Sequence, residues 1–124
     1  MRKLLIADDE EGVRSLVRMT LDVDSYEIFE ARDGVEALEV ARRERPDIVL
    51  LDVMMPGQTG VEVCRALKAD KETSATNVIL LTAKAQDEDR AEGLAAGADG
   101  YFTKPFSPLG LIAKVQEALE GVSS

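Results

Sequence analysis

Histidine is absent from these 124 residues. That omission removes Ser-His-Asp and Cys-His catalysis, together with zinc sites that need imidazole. A single cysteine, Cys64, leaves no internal disulfide and fits a reducing cytoplasm. The longest apolar runs are too short to cross a bilayer. No charged-then-apolar leader opens the sequence, since Met1, Arg2 and Lys3 lead directly into a short strand. Basic clusters are also missing. Lys and Arg number 15 against 24 Asp and Glu, a formal net charge of −9, which argues against direct nucleic-acid binding. Much of that acidity serves solubility. Neither G-x-x-x-x-G-K-[ST] nor G-x-G-x-x-G occurs, so a nucleotide site has no support. The expectation is one cytoplasmic domain over residues 1–124, long enough to bury a real core.

The stretch that organises what is present is residues 46–60, PDIVLLDVMMPGQTG. Its apolar run over 48–51 reads as a strand buried on both faces, bounded by Pro56 and Gly57. Asp52 stands at the carboxyl end of that strand, the edge where open α/β sheets bind ligands. An ordinary loop aspartate or a helix cap would look the same. Thr59 with Glu62 makes the better cap, a capping box, which leaves Asp52 free for other work.

Along the chain, a strand over 4–7 stops at Asp8-Asp9-Glu10-Glu11, and Val13, Leu16, Val17, Thr20 and Leu21 follow at helical spacing. A less buried strand over 26–31 precedes a capped helix with Asp33 and Glu36 at its start and Val35, Leu38 and Ala41 on one side. Arg45-Pro46 ends that helix. Val61, Cys64 and Leu67 line a third helix, where Cys64 is core filling. A strand over 78–81 ends at Thr82-Ala83. A fourth helix from about residue 87 carries small apolar residues, Ala91, Leu94, Ala95 and Ala98, and Gly97 closes it. A short strand over 100–103 ends at Lys104-Pro105. Ser107-Pro108 starts a last helix lined by Leu111, Ile112, Val115 and Leu119 and stopped by Gly121, with a frayed end beyond. Strand and helix alternate five times. That is the pattern of a doubly wound parallel α/β sheet.

In such a sheet all strands point their carboxyl ends to one edge. Asp8 and Asp9, Asp52, Thr82 and Lys104 follow four of those ends, although they are spread over almost the whole chain. Three carboxylates in one crevice repel each other and call for a cation. With oxygen ligands alone, that cation is Mg²⁺ or Mn²⁺. A lysine and a threonine hydroxyl beside it suit a phosphoryl group.

The motifs IADDE, LLDVMMPG, LLTA and GADGYFTKPF resemble those of the receiver domains of bacterial two-component response regulators, over residues 3–119. The resemblance implies a flavodoxin-like sheet of order 2-1-3-4-5. It implies that Asp52 takes a phosphoryl group from a phosphohistidine on a sensor histidine kinase or phosphotransfer protein. Mg²⁺ would be held by Asp9, Asp52 and the carbonyl of Met54, with Asp8 acting through water. Thr82 and Lys104 would bind phosphoryl oxygens, and Lys104-Pro105 would be a cis peptide. The protein would catalyse its own phosphorylation and slow dephosphorylation while acting mainly as a signalling protein. On phosphorylation Thr82 would move, Tyr101 would turn inward, and a surface for a downstream protein effector would repack.

Two other readings stand beside this one. A haloacid-dehalogenase-like phosphatase also uses a strand-end Asp and Mg²⁺, but needs a second acid where Met54 stands. A degenerate receiver would serve only as an interaction module, yet all five site residues are present. The resemblance also implies a charged pairing face, of which the sequence keeps Arg90, Asp99 and Lys114 but has Gly100, Gly110 and Gln116 where the family carries charges, so a monomer or weak dimer is predicted. By the same resemblance, Met54 and Lys84 would flank the line of water attack, and neither offers a carboxylate or amide, which predicts a long-lived phosphorylated form.

Overall fold

The computed structural model describes residues 2–21, 25–82, 95–104 and 107–120. Five strands, β1 (Arg2–Ala7), β2 (Tyr26–Ala31), β3 (Ile48–Asp52), β4 (Asn77–Thr82) and β5 (Gly100–Thr103), form one sheet in the order β2-β1-β3-β4-β5. Every neighbouring pair is parallel. Four helices are described: α1 (Glu11–Thr20), α2 (Gly34–Glu44), α3 (Gly60–Ala69) and α4 (Pro108–Leu119). This is the expected flavodoxin-like sheet. The helix expected from about residue 87 falls largely on 83–94, outside the described residues.

The continuous apolar runs follow from burial on both faces of a parallel sheet. Successive side chains point to opposite sides, and the core accordingly divides in two. Leu5, Val49, Leu51, Val78 and Leu80 pack with Ala37, Ala41, Val61, Cys64 and Leu67 of α2 and α3. Leu4, Ile6, Ile48, Leu50, Ile79 and Leu81 pack with Val17 of α1 and with Leu111 and Val115 of α4. The outer strands β2 and β5 are only partly buried, as sheet edges should be. Burial pushes the Cys64 thiol up to about 11, so it stays protonated, as a core residue should.

The caps read from sequence are in place. Asp33 accepts from the Glu36 N–H, Ser107 from the Gly110 N–H, and Thr59 and Glu62 satisfy each other's backbone donors. Arg45 closes α2 in the left-handed region at φ 48° and donates its N–H to the Ala41 carbonyl at 2.8 Å. Val35 departs from expectation. It is 56% exposed, while Gly34, Ala37, Leu38 and Ala41 form the buried stripe. The stripe at i, i+3, i+4 and i+7 starts on the glycine, whose lack of a side chain hides it from a hydrophobicity count.

One close approach decides how the loop after β3 sits. A Cβ on Gly60 would lie 2.2 Å from the Asp52 carbonyl oxygen and 2.8 Å from the Val53 Cα. The first turn of α3 is therefore pressed against the end of β3, and the Gly60 N–H donates to the Val53 carbonyl at 2.9 Å. Gly12 of α1, by contrast, has nothing within 4 Å. Gly60→Ala should cost about 2–4 kcal/mol, because backbone on both sides must move. Gly12→Ala should gain about 0.5–1 kcal/mol from helix propensity and unfolded-state entropy. Urea unfolding of the two variants measures both, and a Gly60→Ala protein as stable as the parent would contradict the packing.

Candidate functional site

Register alone brings the site together. Ala7 pairs with Leu51, so Asp8 and Asp52, the next residues of β1 and β3, come level with each other. Asp52 in turn pairs with Leu81, and Thr82 pairs with Thr103, immediately before Lys104. Lys104 is held there by its N–H, which donates to the Thr82 carbonyl at 2.8 Å. Asp8 is fully buried, Asp52 is 6% exposed and Thr82 3% exposed. Three polar groups, two of them carboxylates, thus sit buried at one edge of a largely apolar core, and that cost needs a reason.

The Lys104 ammonium lies 2.7 Å from Asp8 Oδ2, 3.4 Å from Asp52 Oδ1 and 3.7 Å from Glu10 Oε1. The Met54 N–H donates to Asp52 Oδ1 at 3.3 Å, and the Glu10 N–H to Asp8 Oδ1 at 2.9 Å. Burial, then the charge of Asp8, raises the Asp52 pKa to about 7, against the pull of Lys104 and the Met54 N–H. Burial disfavours the Lys104 ammonium, yet Asp8 and Asp52 outweigh it and hold its pKa above the ordinary lysine range. One cation shared by two buried anions leaves the cleft short of positive charge.

The donor set fits a hard divalent cation. Asp8, Asp9 and Glu10 offer carboxylate oxygens that all lie within 4.8 Å of one another. Asp8 Oδ2 is buried and, among the described residues, meets the Lys104 ammonium alone, at 2.7 Å. A buried carboxylate oxygen with lone pairs to spare, among oxygen donors only, suits a metal that takes oxygen ligands. Asp52 lies outside that compact triad and reaches it through Lys104.

The structure therefore joins Asp8, Asp52 and Lys104 directly and sets Asp9 beside Asp8. Thr82 stands at the same edge with its strand paired to β3 on one side and β5 on the other. Met54 contributes a backbone donor to Asp52 while its side chain is 71% exposed. Lys84 and Pro105 lie outside the described residues. Two participants escaped the sequence reading. Glu10 looked like part of an acidic strand terminus, yet it joins the carboxylate triad. Arg14, 8% exposed, donates from Nη1 to the Asp8 carbonyl at 2.7 Å. Only its place on the Val13–Val17 side of α1 hinted that this arginine is not solvated.

The sequence matches the family model of the response regulator receiver domain over residues 4–116. It is 43% identical over 121 residues to the transcriptional regulatory protein ResD of Bacillus subtilis, covering 98% of this chain and 49% of that protein. It is 41% identical over 118 residues to the phosphate regulon transcriptional regulatory protein PhoB of Pseudomonas aeruginosa, covering 95% and 52%. The chain thus spans about half the length of the curated relatives it matches. Among solved structures, the chemotaxis response regulator CheY4 of Vibrio cholerae superposes with a TM-score of 0.90 at 38% identity, covering 96% of this chain and 99% of that one.

The charge arrangement has a direct consequence for stability. Without divalent cations at neutral pH, Asp52→Asn should stabilise the fold by about 1–2 kcal/mol, because it removes one of two buried like charges. Lys104→Met should destabilise it by about 2–3 kcal/mol, because it leaves both carboxylates unbalanced. Chemical denaturation in chelator checks the pair. A less stable Asn variant would contradict the shared-cation description.

Proposed function

This chain belongs to the response regulator receiver domains, and on that premise we propose that Asp52 is its phosphoacceptor. The carrying observation is the buried Asp8–Lys104–Asp52 cluster at the carboxyl edge of the sheet. As a receiver domain the chain is a phosphorylation-activated signalling switch. The donor is a phosphohistidine of a sensor kinase or phosphotransfer protein. An Asp52 oxygen attacks phosphorus in line, the P–N bond breaks, and the leaving imidazole keeps the electron pair and takes up a proton. The product is an acyl phosphate.

Each residue has a chemical task in that transfer. Asp9, Asp52 and the Met54 carbonyl would hold Mg²⁺ or Mn²⁺, with Asp8 acting through water. When bound, the cation neutralises charge on the nucleophile and the phosphoryl oxygens, which otherwise repel each other. Lys104, 3.4 Å from Asp52 Oδ1, would follow the charge from the carboxylate to the incoming oxygens. Thr82 would donate its hydroxyl to another. Its movement, followed by that of the half-buried Tyr101, would pass the change to the surface that binds an effector protein.

The wider assignment follows the same chemistry. Among the described residues no helix is long and apolar enough to cross a membrane, and a single domain in the cytoplasm fits the partners named. A monomer or weak dimer is supported by Asp99, whose carboxylate is already held inside the chain by Lys68 at 2.8 Å and by the Val78 N–H. The phosphatase and the degenerate-receiver readings have no observation in their favour.

Acetyl phosphate with Mg²⁺ should add one phosphoryl group, read by intact mass. Asp52→Asn and Asp9→Ala should each abolish Mg²⁺-dependent labelling, while Asp8→Ala weakens metal affinity less. Undiminished labelling of Asp52→Asn would sink the assignment. After donor removal the native label should decay slowly, and the combined Met54→Asn, Lys84→Glu variant should lose it faster.

A further inference from the structure

We propose that Arg14 is a positioning residue for the cation-binding loop: from inside the protein it ties the Asp8 backbone to β2, and so sets the divalent-cation affinity of Asp8 and Asp9. The inference rests on the receiver reading above and deepens it. The Asp8 N–H already belongs to the sheet, donating to the Ala31 carbonyl at 3.0 Å. Its carbonyl accepts from Arg14 Nη1 at 2.7 Å, a buried and charge-assisted bond. The same guanidinium donates from Nε to Glu30 Oε1 at 3.0 Å. Glu30 is fixed in turn through its other oxygen, which accepts from Arg18 Nε at 2.7 Å, while Arg18 Nη2 reaches the Ile28 carbonyl at 3.2 Å.

This bracing replaces a missing one. The N-cap of α1 is Glu10, and no side chain caps that helix, unlike α2, α3 and α4. The helix start holds the carboxylate loop through short-range bonds, from the Glu10 N–H to Asp8 Oδ1 at 2.9 Å and from the Val13 and Arg14 N–H groups to the Glu10 carbonyl, none of which reaches β2. Arg14, one turn into α1, supplies that link. A planar fork can satisfy two acceptors at fixed angles, which a lysine cannot do. Burial favours a protonated Glu30, but the hydrogen bonds from Arg18 and Arg14 outweigh it and keep the anchor ionised. Groups that orient ligands from behind in this way typically change metal affinity by about 10–100-fold when lost.

Arg18 provides the control, because it shares the Glu30 anchor without touching Asp8. Calorimetric titration with MgCl₂ on the parent, Arg14→Met, Arg14→Lys and Arg18→Gln, each with its melting temperature, separates positioning from general stability. Arg14→Met should bind Mg²⁺ about 10-fold more weakly. Its acetyl phosphate labelling rate should recover at saturating Mg²⁺. Arg18→Gln should lose stability yet keep the parent affinity. Should Arg14→Met fail to fold, Arg14→Lys keeps the charge and most of the packing and carries the same expectation. A folded Arg14 variant with the parent affinity, or an equal loss in Arg18→Gln, overturns the proposal while leaving the receiver reading intact. A parent protein that binds no Mg²⁺ overturns both.

Discussion

Two buried carboxylates share one ammonium, and the rest of the molecule is arranged around that shortage of positive charge. Asp8 and Asp52 are the first residues past the apolar parts of the two central strands, and parallel register makes them level. An isolated ionised carboxylate in such a place is prohibitively costly. Lys104 offsets part of the cost, and the remainder is what the proposed cation, and then the phosphoryl transfer, would relieve. The sheet's role is to hold like charges closer than they would settle unaided.

That cluster is enforced from three directions. Gly60 lets the start of α3 press on the Asp52 carbonyl. The β4–β5 pairing delivers Lys104 through its backbone bond to Thr82. Arg14 grips the Asp8 carbonyl from beneath. None of these contacts engages the carboxylate oxygens that would do the chemistry, so those oxygens remain available to ligands. Lys104 is the exception, and its distances to Asp8 and Asp52 suit a group that changes partners when the charge moves.

Much of this was legible before any coordinates. The apolar runs that end in Asp8, Asp52 and Thr82 disclose the central strands, because burial on two faces favours such a composition, and the parallel sheet brings these residues and Lys104 to one edge. The misses share a physical cause. Arg14 goes unmarked in the sequence, since periodicity does not show that its guanidinium turns inward to a backbone carbonyl. Gly60 follows the Thr59 cap as an ordinary first helical residue, since a close approach is a property of two segments, not of one. Val35 was placed on the buried side because hydrophobicity outweighed the glycine next to it. Glu10 merged into an acidic run in which only geometry distinguishes ligand from bystander. The pairing of charges across strands was accessible only through register.

In this cluster, short of positive charge, Asp52 and no other acid is the proposed nucleophile. Borohydride reduces an acyl phosphate to the corresponding alcohol, which marks the acceptor permanently. After labelling with acetyl phosphate and Mg²⁺, reduction and peptide mass spectrometry should find homoserine at position 52 alone. Reduced side chains at Asp8 or Asp9, or a labelled protein with Asp52 unchanged, would contradict the account.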